Sequence, residues 1–248
     1  MLKSRVLSLL RETCTGLLGG GRCLRCYREC GSVPLCRECL ASGALDFVPP
    51  GKNRCLLCGK PLVSEGGGNV SKCMGCRESS VFTCVDSVFP LYTYRLWKKA
   101  LLYEWKMKGA RSLTPLFAGK IWEALNLLFP GGEIPVVVPV PPRPGKIWSK
   151  GWDQVDELCT YLSKLHGVRI GKFLVRENTG QQKKLTRDER LGSGGATYAP
   201  HPKAVSVPEK VVLLDDVLTT GATVSSCAKV LRSMGCGKIT VLSLFIVD

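Results

Sequence analysis

Residues 211–214 read Val-Val-Leu-Leu, an unbroken apolar run. A run of this length predicts a strand buried on both faces, as in a parallel sheet covered by helices. Val81 to Tyr94, Ile134 to Val140 and Lys238 to Val247 have similar strand character, and Phe173-Leu174-Val175 is a shorter case. Between these stretches the apolar positions step by three and four, the spacing of a helix face. Arg95 to Lys108 predicts one helix, with Leu96, Ala100, Tyr103 and Met107 toward the core and Lys98, Lys99, Lys106 and Lys108 opposite. Gly109 ends it. Leu113 to Phe129 predicts a second, closed by Pro130-Gly131-Gly132, and Asp153 to His166 a third, with Val155, Leu158, Cys159 and Leu162 on one face. Val224 to Met234 is the last. Residues 81–248 thus predict an α/β domain, a parallel sheet with helices on both faces. Within it, Arg176 to Arg190 is long, polar and basic, and suits either a solvent-exposed linker or a cover over a site. Gly192 to Pro202 reads as a loop.

The front of the chain follows another rule. Met1 to Leu10 predicts a short amphipathic helix, ended by Gly19-Gly20-Gly21. Eleven of the fourteen cysteines then lie before residue 85. They include Cys23-x-x-Cys26, nine residues, Cys36-x-x-Cys39, and then Cys55-x-x-Cys58, fourteen residues, Cys73-x-x-Cys76. A Cys-x-x-Cys turn aims two sulfurs at one ion, so two such pairs make a tetrahedral site for Zn²⁺. Residues 1–80 therefore predict a small zinc-ribbon region with two structural Cys₄ sites. Sequential pairing is the simple assignment; interleaved pairing, and Cys30 in place of a neighbour, are the alternatives. Arg22, Arg25 and Arg54 are placed to support the thiolates.

Composition adds a partner class. At 248 residues the net charge is +15, which suits a polyanionic substrate or partner. Residues 91–130 carry seven Lys/Arg against two Glu, and 171–208 seven against three acids. No secretory pattern and no membrane-length apolar run is visible, so the cysteines predict metal ligands in a reducing, cytoplasmic setting.

The candidate chemistry follows the 211–214 run. Asp215 and Asp216 come at its carboxyl end, then Thr219, Thr220, Gly221, Ala222 and Thr223 lead into a helix. Ligands of open α/β sheets bind outside the carboxyl ends of strands. A helix start offers unpaired N–H groups to a phosphate, Gly allows close approach, and the carboxylates suit sugar hydroxyls. Trp97, Trp105, Trp148 and Trp152 lie among basic residues, as base-stacking platforms would, although core burial is the commoner fate of a Trp.

This stretch resembles the phosphoribosyl pyrophosphate signature of type I phosphoribosyltransferases. That likeness implies that Asp215 and Asp216 bind ribose hydroxyls and that residues 219–223 wrap the 5′-phosphate. It also makes Pro141, Pro142, Arg143 and Lys146 a pyrophosphate loop, with Mg²⁺ accompanying the ligand. Three further motifs are similar to the ComF family: Tyr94 with Trp105-Lys106-x-Lys108-Gly109, Pro139-Val140-Pro141 with Lys150-Gly151-Trp152-Asp153-Gln154, and Arg176-x-x-Thr179-x-x-Gln182 through Arg190. With the Cys-x-x-Cys front, the resemblance spans essentially the whole chain.

The ComF resemblance implies zinc ribbons on a phosphoribosyltransferase domain, association with natural competence, and a hood containing Arg176, Thr179, Gln182 and Arg190. Asp153 stands where the family has Asn, which predicts a negative charge near the pyrophosphate loop. The implied reaction is displacement of pyrophosphate from ribose C1 by a nitrogen nucleophile. Neither His166 nor His201 falls in a motif, so no general base is assigned. The alternative is a non-catalytic accessory protein that binds single-stranded DNA through a basic surface and the ribbons, working with DNA-uptake or recombination proteins. A regulator that senses phosphoribosyl pyrophosphate is a third reading.

Overall fold

The computed structural model describes residues 21–51, 53–62, 72–78, 82–146, 149, 151–177 and 198–247. Its centre is a four-stranded, all-parallel sheet of β1 (Ser87–Thr93), β2 (Val136–Pro139), β5 (Lys210–Leu218) and β6 (Lys238–Ile246), in the order β1-β6-β5-β2. β6 is central, and eight of its nine residues are buried. Such strands are apolar on both faces because helices cover both. A separate antiparallel pair joins β3 (Leu174–Arg176) to β4 (Tyr198–Pro200). The expected loop over 192–202 therefore ends in a strand, paired through Leu174↔Pro200 and Arg176↔Tyr198.

One face of the sheet is covered by α3 (Trp97–Lys106), α4 (Thr114–Leu128) and α5 (Gln154–His166), with a 3₁₀ turn (Arg111–Leu113) before α4. Val155, Leu158, Cys159 and Leu162 of α5 are buried as expected. The other face is covered by α6 (Ala222–Ser233) and the β3–β4 pair.

The expected register of α3 is overturned. Leu96, Ala100, Tyr103 and Met107 face outward, while Leu101, Leu102 and Trp105 are buried. Helix spacing allows both stripes, and the larger apolar area wins. Trp105 is fully buried against Phe117, and its Nε1–H donates to Thr114 Oγ1 at 3.0 Å. Its part is core, not a stacking platform. Trp152 is half-buried against it.

The Cys-rich front packs on both faces. Cys23, Cys36 and Cys39 share the buried cluster of Trp105 and Phe117, whereas Cys55 and Cys58 share that of α6. Short helices α1 (Arg37–Ala41) and α2 (Met74–Glu78) carry one cysteine pair partner of each group. The front also covers the open edge of β1. Arg54 donates to the carbonyls of Val48, Pro49, Gly59 and Pro90, and its guanidinium lies 4.0 Å from the Phe89 ring. Pro90 is tolerated because β1 is an edge strand. Gly59 has φ +67°, and a Cβ there would overlap the Val88 carbonyl oxygen.

Candidate ligand site at the carboxyl ends of the central strands

β5 continues through the acidic pair to Leu218, beyond the run that predicted it. Its partner β2 stops where Pro139 meets Leu214, so the next residues of β5 border a crevice. Consecutive strand residues point to opposite faces. Asp215 falls with Val211 and Leu213 on the α6 side, and Asp216 with Val212 and Leu214 on the α3 side. Both are buried, at 9% and 7% exposure. Asp215 Oδ1 accepts from the Asp216 N–H at 2.8 Å. Asp216 Oδ2 lies 2.8 Å from Lys106 Nζ, at the end of α3. Burial, and then the charge of Asp216, pushes Asp215 up to about 7.

Beyond β5, Thr219 and Thr220 are exposed, and Gly221 caps α6 with φ +77°. A Cβ on Gly221 would stand 2.7 Å from the Phe82 ring. Ala222 and Thr223 form the exposed first turn of α6, which contains no acidic residue. That turn presents N–H groups and the positive helix end to solvent, a setting for an anion. Next to Phe82, the Thr83 N–H donates to Ser225 Oγ at 3.2 Å, so the chain leaving the second cysteine group lies on the start of α6.

The proline turn leaves β2 beside this loop: the Val140 N–H donates to Leu214 O, Pro141 and Pro142 are half-buried, and Arg143 is exposed. Among the described residues no peptide bond is cis. Lys146 Nζ lies 2.5 Å from Asp153 Oδ2 and 2.6 Å from Gln154 Oε1. Asp153 Oδ1 caps α5, accepting from Val155 and Asp156 N–H at 3.0 Å each. Its negative charge is thus met by a helix start and by Lys146, instead of standing free at an anion site. Gln154 also donates to Lys106 O at 3.4 Å, which ties the turn to α3.

Arg176 lies in β3; Thr179, Gln182 and Arg190 lie outside the described residues, as do Cys14, Trp148, Lys150 and residues 1–20. Lys106, Phe82 and Tyr198 join the site without having been singled out for it.

The cysteines gather as sequential pairing predicts, Cys23, Cys26, Cys36 and Cys39 in one group and Cys55, Cys58, Cys73 and Cys76 in the other. Within each group the sulfurs lie within 4.8 Å of one another. The Cys26–Cys36 and Cys58–Cys73 sulfurs are 3.6 Å and 3.7 Å apart. A tetrahedron with Zn–S arms of about 2.3 Å has edges of about 3.8 Å, so the donor sets fit that ion. All four sulfurs converge, which suits a structural ion. Cys30 stands aside, its thiol donating to Gly21 O at 3.1 Å. Arg28 supports a thiolate: its side-chain hydrogen bond pulls Cys26 down to about 6. Arg25 instead bonds Cys39 O and Ser42 Oγ, Arg54 bonds backbone carbonyls, and Arg22 pairs with Glu29 through the backbone.

The chain is 26% identical over 214 residues to competence protein ComFC of Streptococcus pneumoniae (strain ATCC BAA-255 / R6), covering 85% of this chain and 86% of that protein. That similarity agrees with the ComF resemblance of the sequence motifs. A second relative, competence protein F of Haemophilus influenzae (strain ATCC 51907 / DSM 11121 / KW20 / Rd), is 31% identical over 111 residues, 44% of this chain and 48% of its own length. No protein-family model matches the chain. No helix among the described residues is long and apolar enough to cross a membrane.

Proposed function

We propose that this chain is a ComF-family protein with a type I phosphoribosyltransferase-like fold, which binds phosphoribosyl pyrophosphate or a related sugar phosphate, in association with DNA uptake. The single observation that carries the reading is the pair Asp215–Asp216. These buried carboxylates point to opposite faces at the carboxyl end of an inner strand, directly before a Gly-capped helix start. Carboxylates there accept hydrogen bonds from ribose hydroxyls, and the Thr219–Thr223 loop takes the 5′-phosphate. The pyrophosphate end relies on Arg143, because Lys146 is already paired with Asp153. Mg²⁺ would offset the remaining negative charge of the ligand. Residues 1–80 form a zinc-ribbon region holding two structural Zn²⁺ ions against the sheet of residues 81–248. Competence enters through the names of the two relatives.

Calorimetric titration of phosphoribosyl pyrophosphate with Mg²⁺ into zinc-loaded protein tests this. The wild type should bind, and Asp215→Asn/Asp216→Asn should bind at least about tenfold more weakly. A folded wild type that does not bind at millimolar ligand overturns the reading.

A second reading, direct binding of single-stranded DNA, is favoured by the outer face of α3. Tyr103 is 53% exposed with Lys108 Nζ 5.9 Å from its ring centroid, and Leu96 and Met107, which cap the helix at its two ends, are exposed. Aromatic rings among cations suit base stacking beside phosphates. Affinity for an oligonucleotide should then fall steeply with salt and drop in Tyr103→Ala.

A further inference from the structure

The Tyr198 side chain is only 6% exposed, and its hydroxyl is buried with no hydrogen-bond partner among the described residues. Buried tyrosine hydroxyls ordinarily find a partner, since an unpaired one loses its water without compensation. The surroundings show what would satisfy it. β4 packs against α6, and Tyr198 belongs to the same buried cluster as Val224 and Cys227 of that helix. Burial raises the phenol's pKa, Thr223 is close enough to oppose that rise in small part, and the pair lacks hydrogen-bond geometry. Across the β3–β4 pair, Arg176 is the register partner of Tyr198, and its guanidinium carbon lies 5.7 Å from the ring centroid. An unpaired O–H donor and a cation thus stand together at the start of a twelve-residue helix whose first turn is free of acids.

We propose that Tyr198 is a specificity-determining residue of this anion site, donating a hydrogen bond to an oxygen of a phosphate monoester held at Thr219–Thr223. Arg176, with its guanidinium carbon 5.7 Å from the ring centroid, adds charge complementarity for a dianionic phosphate. The proposal rests on the phosphate-ligand reading above and deepens it. A sugar without the phosphate has no oxyanion to meet the phenol, so the site discriminates for the phosphorylated sugar.

Tyr198→Phe removes the hydroxyl and keeps the ring. Ribose 5-phosphate is titrated into zinc-loaded, full-length wild type and variant, and the variant should bind about tenfold or more weakly, the effect of losing a hydrogen bond to a charged group. In protein labelled with ¹³C-tyrosine, the Cζ resonance missing from Tyr198→Phe should move when wild type is saturated with ribose 5-phosphate. Unchanged affinity in the variant overturns this proposal and leaves the phosphate reading standing. A Cζ resonance that does not move overturns it even if affinity falls, because the hydroxyl then acts only on the fold. A folded wild type that does not bind ribose 5-phosphate overturns this proposal, and one that also fails to bind phosphoribosyl pyrophosphate overturns both.

Discussion

Lys106 Nζ lies 2.8 Å from Asp216 Oδ2, linking the last turn of α3 to the carboxyl end of β5. Asp216 is nearly enclosed, and Asp215 beside it is held partly protonated by burial. Lys106 is thus the cation paired with Asp216 among the described residues. Gln154 extends the link, from Lys106 O to Lys146 and so to Asp153. The two turns proposed to hold opposite ends of the ligand are in this way joined through α3.

Lys106→Met leaves the Asp216 carboxylate buried without its cation. The cost should be about 1–3 kcal/mol at neutral pH, read as a lower urea midpoint. Adding Asp216→Asn to Lys106→Met should recover most of that loss, because the pair is coupled. Equal midpoints for wild type and Lys106→Met would show that the ion pair does not bear on stability.

Asp215 gives stability a pH dependence with a definite sign. Its folded-state value of about 7 exceeds the ordinary 3.8, so between these values the folded protein holds more protons than the unfolded one. This contribution is fully present below the lower value and is lost as pH rises through about 7. Asp215→Asn should therefore be more stable than wild type at pH 8, with the advantage shrinking toward pH 4. Urea unfolding across that range measures it; a constant difference would contradict the assignment.

Gly221 should tolerate no side chain. Alanine there meets a φ of +77° and the Phe82 ring at 2.7 Å. Gly221→Ala should cost about 1–2 kcal/mol from the backbone alone, and should weaken ribose 5-phosphate binding. Phe82→Ala in the same chain should restore the part of the loss that comes from the ring. A thermal-shift and calorimetry cycle of the four proteins separates the two parts.

Metal analysis should find two zinc ions per chain. Cys36→Ser should reduce the count to about one, as expected where four thiolates define one site. Cys30→Ser should leave it at two, because Cys30 lies outside both groups. Strong chelators should lower the melting temperature, since both groups share buried clusters with the sheet.

Much of this was legible in the sequence because the signals were local. The Val211–Leu214 run is a strand, and the Cys-x-x-Cys spacings pair in order. The apolar face of α5 needed only helical steps. What was not legible depended on choices between comparable patterns. In residues 95–108, Leu96/Ala100/Tyr103/Met107 and Trp97/Leu101/Leu102/Trp105 both satisfy a helix face. Weighing side-chain area would have favoured the second, and with it turned Lys106 toward the acidic pair. Asp153 looked like a charge against an anion site because its cap and Lys146 partner come from folding the turn. Tyr198 and Phe82 reach α6 through tertiary packing, with no spacing that marks them.

The most direct test of the carboxylate pair compares ribose 5-phosphate with 2-deoxyribose 5-phosphate by calorimetry, in wild type and in Asp215→Asn/Asp216→Asn. Ribose hydroxyls held by these carboxylates predict that wild type binds the deoxy ligand about tenfold or more weakly, and that the double variant barely distinguishes the two. Equal affinity of wild type for both ligands would contradict the account.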